Sequence, residues 1–498
     1  MMFSTASNDR PVVTGNYIDG VARPAQGGRT YALYNPARPD ELVGHAALSS
    51  IDDVDAAVRA AHAAYPAWSR TSYAERAARL NEVADFLESG QDDVDYRSRL
   101  FCREHGKIIK ETHIEVSRLG DRFRTTAAYA DRLARDEIEH GPPFDTIITR
   151  QPRGVATLIV PWNWPLSILG AKLPQALMAG NTVVVKPSEL SVLAPTMTLQ
   201  KIAEMFPPGV INVVTGDATQ IGDSLVGHPL VRFVNFTGSV RIGRHVMKVA
   251  ADRLTPVTLE LGGNDPAIVC ADERLDEQAF MNMYLGTFMS SGQICMALKR
   301  LYVHRSRYAD VVDGLSALCD RMVIGDGLLP DTNMGPVNNA KQLKTVTDMI
   351  GQARASGAEI RECGQVPDEA LYRQGYFQKP ALVLNPDQDL DIVCEEQFGP
   401  ALPIMPFDSE DEALRLANDS RYGLCSSVWT EDRDRALSIS RKLEAGYTYL
   451  NNHGPTAQDF RGPFGGFKDS GFGRNLGYEG VVQFQGHHSI SSAPGWLF

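Results

Sequence analysis

Short β-branched runs alternate with longer helical stretches along most of this chain, and that rhythm restricts it to a parallel α/β fold. Val155 to Val160, Thr182 to Lys186, Ile211 to Val214 and Phe233 to Asn235 read as strands, with helical segments Pro165 to Ala179 and Ser191 to Phe206 between them. The alternation resumes from Ala267 to Pro406, around predicted helices Arg307 to Met322 and Asn338 to Ser356. Upstream, Asp53 to Tyr65 places Val54, Ala57, Val58 and Ala61 at helical spacing behind a Ser50 cap, and a second helix covers Ala74 to Leu87. Two α/β domains are the economical reading. Asp136 to Arg150 departs from it, because Pro142 and Pro143 precede the extended run Thr146 to Thr149; this predicts a hairpin leaving the first domain. The tail, Val481 to Phe498, is also strand-like.

A length of 498 residues suggests about three domains, and a net charge of -12 disfavours nucleic acid or an anionic membrane as partner. Seven scattered cysteines without a CxxC pair suit free thiols in a reducing compartment, so a cytoplasmic location is expected. Met1 to Arg10 lacks the basic start and apolar core of a signal peptide. Three uncharged runs, Gly154 to Ala171, Gln278 to Leu298 and Gly480 to Phe498, approach membrane-spanning length. Pro161, Asn163 and Pro165 break the first, and polar residues rule out the other two. The 11 histidines form no HxxxH or Cys/His ligand cluster, so no metal is expected.

The chemistry centres on Ser290-Ser291-Gly292-Gln293-Ile294-Cys295. A cysteine is by default a buried small hydrophobe. Cys295, however, follows a small polar turn able to expose a thiol, and it lies 35 residues after Glu260 of Glu260-Leu261-Gly262-Gly263. A thiol nucleophile needs a base, and a carboxylate beside a Gly-Gly turn could approach it; a solvated surface charge is the competing reading. Asn163, in Pro161-Trp162-Asn163-Trp164-Pro165, follows a strand in a rigid turn. Its amide could donate to a developing oxyanion, or the segment could be a structural turn with packed tryptophans.

The dinucleotide fingerprint GxGxxG is absent, and Gly471 to Gly477 has the wrong spacing with no strand before it. The chain offers instead Lys186-Pro187-Ser188-Glu189 after a β-rich run, and Phe236-Thr237-Gly238-Ser239 after another. A Gly-Ser turn opening a helix can present amides to phosphate, and a carboxylate after a strand can bind ribose hydroxyls.

These segments, with Glu395-Glu396-Gln397-Phe398-Gly399-Pro400 and Pro463-Phe464-Gly465-Gly466, resemble the ordered motifs of the aldehyde dehydrogenase superfamily. The resemblance runs from about Tyr17 to Ile490. It implies two Rossmann-like domains, an NAD-binding one over 10–130 and 151–260 and a catalytic one over 261–460, with oligomerisation strands at 131–150 and 478–498. It implies that Cys295 attacks an aldehyde, that Asn163 and the Cys295 amide hold the oxyanion, that Glu260 activates water, and that Lys172 lies nearby. Lys186, Glu189 and Glu396 would hold the cofactor riboses, with Phe398 at the nicotinamide and Gly238 and Ser239 at the pyrophosphate. Ile159, Pro161, Trp162, Ser188, Gly216, Phe236, Ile242, Leu261 and Gly262 complete the implied cofactor set. Glu189 favours NAD over NADP, since a carboxylate repels a 2′-phosphate.

Trp164, Ile168, Phe288, Ile294, Met296, Phe460 and Phe464 match substrate-facing positions, and Asn451 to Gly462, with His453, Asp459 and Arg461, matches the family's variable substrate loop. A medium-sized apolar or aromatic aldehyde is expected, oxidised by a homodimer or homotetramer. Two alternatives remain: transfer of the acyl group to CoA, against which Glu260 speaks, and a non-enzymatic protein on the same fold.

Overall fold

The computed structural model describes residues 10–497; residues 1–9, which hold most of the stretch assessed for a signal peptide, and Phe498 lie outside it. Five parallel strands form the centre of the first sheet: β1 (Val155–Ile159), β2 (Thr182–Lys186), β3 (Ile211–Val213), β4 (Val231–Thr237) and β5 (Val257–Glu260). They lie in the order β5-β4-β1-β2-β3, flanked by antiparallel strands Asn16–Ile18 and Val21–Arg23 at one edge and Gly471–Phe472 at the other. The order reverses at β1 and β4, and such a switch point opens a crevice at the strands' carboxyl ends.

A second, seven-stranded sheet uses β6 (Asp265–Val269), β7 (Leu298–His304), β8 (Ala381–Leu384), β9 (Ala401–Phe407), β10 (Cys425–Trp429) and β11 (Tyr447–Leu450). All six run parallel, and Glu359–Glu362 adds an antiparallel edge. Central strands such as β2 are buried along their whole length, as expected of parallel strands covered on both faces. The expected hairpin is present: Glu137–Glu139 pairs with Asp145–Pro152, which pairs in turn with the tail strand Gln485–Ser492. Ile138, Phe144 and Ile490 on this small sheet are exposed. Among the described residues no helix is long and apolar enough to cross a membrane.

Three helices matter for the site: α1 (Leu119–Ala127), α2 (Pro165–Gly170) and α3 (Leu173–Met178). The single helix expected over Pro165 to Ala179 is two, because Lys172 leaves helical geometry (φ -133°, ψ -51°) ahead of Pro174. A proline ring disfavours helical backbone just before it, and here the break falls at the start of the second helix. The tail also differs from expectation, since its first residues finish a helix, Gly477–Val482, before the strand begins.

Candidate active site

The two sheets bring their chemistry together end to end. Glu260 is the last residue of β5, at the carboxyl edge of the first sheet, while Cys295 sits three residues before β7 of the second. Asn163 lies in the turn between β1 and α2. All three side chains line one cavity of about 260 Å³.

The turn that presents Cys295 is held in an unusual backbone conformation. Ser290, Ser291 and Gly292 all have positive φ (51°, 56° and 72°). Two consecutive non-glycine residues there are strained and persist only where their surroundings fix them. Glu111 supplies part of that hold, accepting from the Ser290 amide at 2.8 Å and its hydroxyl at 3.2 Å, and Ser291 Oγ donates to the Gly335 carbonyl at 2.8 Å. Gly292 is required twice over, because a Cβ there would also approach the Gly399 carbonyl to 2.3 Å.

Burial pushes the Cys295 thiol up to about 12; Lys299 opposes this, while Glu396, Asp265 and Glu260 reinforce it. The resting Cys295 side chain is therefore a protonated thiol. Neither carboxylate oxygen of Glu260 has a hydrogen-bond partner among the described residues. Burial raises this acid to about 8, against the opposing pull of Lys172 and Arg474. An unpartnered buried carboxyl group with such a value suits a base that must gain and lose a proton near neutrality.

Lys172 is fully buried and does not line the cavity. It donates to Asn235 Oδ1, and Asn235 in turn donates to Asn475 Oδ1 at 2.8 Å. With only neutral partners in contact, burial lowers its ammonium to about 7, and the fields of Glu260 and Cys295 act in the opposite direction.

The expected cofactor residues gather along the carboxyl edge of the first sheet and the facing edge of the second. Ile159 pairs with Lys186 on one side and Phe236 on the other, placing three of them side by side. Lys186 Nζ lies 3.2 Å from Glu189, and Ser188, buried, accepts from the Leu190 amide through its hydroxyl. Gly216 (φ 138°) follows β3, and Gly238 follows β4. Ser239 then caps the helix Val240–Ala251, accepting from the Ile242 amide. That helix packs against Leu261: a Cβ on its Gly243 would meet the Leu261 side chain at 2.4 Å. Across the gap, Glu396 accepts from the Gly263 amide at 3.1 Å and lies 3.9 Å from Lys299. A Cβ at Gly262 would strike Glu396 Oε2 at 2.2 Å, so glycine is needed for this close approach. Phe398 (φ 49°) meets the Trp162 ring edge-on at 5.5 Å, and Pro161 precedes that ring in the turn after β1.

Of the expected substrate-facing residues, Trp164, Ile168, Ile294, Met296, Phe460 and Phe464 line the cavity. Phe288 does not. It is 1% exposed and packs on Tyr284 of its own helix, because its position turns it into the apolar core beside the second sheet. His453 is likewise fully buried, with Nδ1 at 2.8 Å from Ser427 Oγ, and Asp459 and Arg461 pair with each other in solvent. Besides Phe460, the loop reaches the cavity through Pro455, Thr456 and Gln458.

The sequence reading missed one whole wall, formed by Ile114, Glu115, Arg118, Leu119, Asp121 and Arg122. Glu115 also anchors the turn carrying Asn163, accepting from the Leu166 and Ser167 amides at 2.8 and 2.9 Å while paired with buried Lys107 at 2.5 Å. Lys107 stands 3.7 Å over the Trp164 ring. No local pattern distinguishes these charges from ordinary helix-surface ones.

The model of the aldehyde dehydrogenase family matches residues 23–490. The chain is 37% identical to a 3-succinoylsemialdehyde-pyridine dehydrogenase from Pseudomonas sp, covering 94% of this chain and 96% of that one. It is 37% identical to a phenylacetaldehyde dehydrogenase from Pseudomonas fluorescens, over 94% and 93% of the two chains.

The chain belongs to the aldehyde dehydrogenase family. Its activity is therefore NAD-dependent oxidation of an aldehyde. The fold agrees: a betaine aldehyde dehydrogenase from Staphylococcus aureus, solved in complex with NAD+, superposes with a TM-score of 0.89 at 31% identity, over 96% of this chain and 94% of that one.

Proposed function

We propose that this member of the family oxidises an apolar or aromatic aldehyde to its carboxylic acid, with Cys295 as nucleophile and water as acyl acceptor. The convergence of Cys295, Asn163 and Glu260 on one cavity carries this reading. Cys295 sulfur bonds to the aldehyde carbon as the thiol proton leaves to solvent, giving a thiohemiacetal. Asn163 Nδ2 and the Cys295 amide hold its oxygen, which carries the developing charge. When bound, NAD would supply the acceptor for the hydride that leaves this carbon. A thioester remains on Cys295. Glu260 then takes a proton from water, the hydroxide adds to the thioester carbon, and the C–S bond breaks to release the acid and restore the thiol. Lys172 tunes the charge of Glu260 from beneath the site.

The donor set fits the dinucleotide. Lys186 and Glu189 would hold one ribose and Glu396 the other, with the Gly238-Ser239 turn at the pyrophosphate and Phe398 beside the nicotinamide. Ile159, Pro161, Trp162, Ser188, Gly216, Phe236, Ile242, Leu261 and Gly262 shape that cleft. The half-exposed Glu189 carboxylate favours NAD over NADP.

We assign 10–130 and 151–260 to cofactor binding, 261–460 to catalysis, and 131–150 with 478–498 to assembly into a homodimer or homotetramer. The exposed apolar residues of the three-stranded sheet and its unpaired edges support that last assignment. Seven unbridged cysteines suit a cytoplasmic setting.

The test is NADH formation across aliphatic, aromatic and semialdehyde substrates, with NAD and NADP compared and CoA omitted. Acid formed without CoA is the expected result. An absolute CoA requirement, or no NADH from any aldehyde, contradicts the reading.

A further inference from the structure

The inner end of the cavity is occupied by Cys295, Asn163 and Glu260, and its other end opens at exposed Ile114, Arg118, Asp121 and Thr456. Near that opening the wall carries a cation that has no salt-bridge partner among the described residues. Arg122, on the first turn of α1, makes no ion pair among the described residues, and its Nη1 is buried without a hydrogen-bond partner. Its placement is built in. The stem crosses Gly170, where a Cβ would come within 2.7 Å of Arg122 Cγ, and the guanidinium lies over the Phe460 ring, 2.9 Å from its centroid.

The neighbouring charges do not satisfy it. Glu115 is committed to Lys107 and the amides of α2, and Glu111 to Ser290. Asp121 is exposed and forms no ion pair with either arginine, while Arg118 adds a second positive charge at the opening. Two more buried donors on this cavity also lack partners among the described residues, Gln458 Nε2 and Trp164 Nε1. Buried donors left unpaired are costly, and a guanidinium fork matches a carboxylate. Burial presses the Arg122 guanidinium down to about 9 against the opposing pull of Asp121 and Glu115, a pressure that a bound anion would relieve further.

We propose that the preferred substrate is an aldehyde with an apolar body and a carboxylate at its far end, which Arg122 grips with Gln458 alongside. This rests on, and deepens, the proposed oxidation at Cys295: the aldehyde reaches the thiol while the opposite end meets the guanidinium.

The experiment compares matched pairs on the wild-type enzyme with NAD: succinic semialdehyde against butanal, and 4-formylbenzoate against 4-methylbenzaldehyde. The carboxylated member of at least one pair is expected to have the higher kcat/KM. Arg122→Leu should lower the carboxylated-to-neutral ratio by about 100-fold, mainly through KM, since one partner of a buried charge pair is removed. Arg122→Lys, which keeps the charge without the fork, should retain part of the preference. Calorimetric titration of 4-formylbenzoate without NAD gives a readout independent of turnover, and binding should weaken in Arg122→Leu. A wild-type preference for the neutral member of both pairs, or a ratio and affinity unaltered in Arg122→Leu, overturns the proposal. NADH formed from the neutral aldehydes would leave the underlying oxidation reading standing even then.

Discussion

Asn163 donates its side-chain amide to the carbonyl of Gln293 at 3.0 Å, tying the turn after β1 to the turn that carries Cys295. The bond uses one of the two amide protons and leaves the other free, in a side chain that lines the same cavity as Cys295. The turns that carry Asn163 and Cys295 are therefore joined directly, although they flank strands of different sheets.

Removing that donor should slow chemistry more than binding. Asn163→Ala is expected to lower kcat by about 10²–10³-fold, the usual cost of losing one oxyanion donor. Steady-state kinetics with a saturating aldehyde would check this, and a variant impaired only in KM would assign Asn163 a binding role instead.

The elevated value of Glu260 sets a pH dependence. Below about 8 the carboxyl group is protonated and cannot take a proton from water. Turnover limited by thioester hydrolysis should therefore climb as pH rises through that value and level off above it. In Glu260→Gln the rise should vanish, leaving a burst of about one NADH per site followed by very slow turnover. Stopped-flow absorbance between pH 6 and 9 reads both effects.

Gly292 tests the geometry of the nucleophile turn. Alanine there would sit at φ 72° with its Cβ 2.3 Å from the Gly399 carbonyl. A loss of roughly 2–4 kcal/mol is expected, from the backbone conformation and the clash together. Thermal unfolding followed by circular dichroism should show a clearly lowered midpoint, and a wild-type melting curve would mean that the turn can relax.

Much of this was legible in the sequence because chemistry and turns share residues. Gly292, Gly262 and Gly238 mark places where backbone must bend or approach closely, and the functional side chains stand next to them. The strand rhythm located β1 to β4 for the same reason, since buried parallel strands read as apolar runs. Orientation was harder to read. Phe288 and Ile294 look equally apolar, yet one turns into the core and the other into the cavity, a choice made by packing between distant segments. Lys107, Glu115 and Arg122 resemble solvated helix charges until the fold buries two of them as a pair and leaves the third facing the cavity. The helix break at Lys172 was hidden by a continuous apolar pattern that Pro174 interrupts.

The most direct test of the central claim is the intact mass of the Glu260→Gln enzyme after mixing with NAD and an aldehyde that the wild-type enzyme oxidises, followed by peptide mapping. A thioester should add the mass of one acyl group in place of one hydrogen, located on Cys295 and absent when Cys295 is replaced by alanine. An unmodified enzyme that still forms NADH at the wild-type rate, or an acyl group on any of the other six cysteines, would contradict the account.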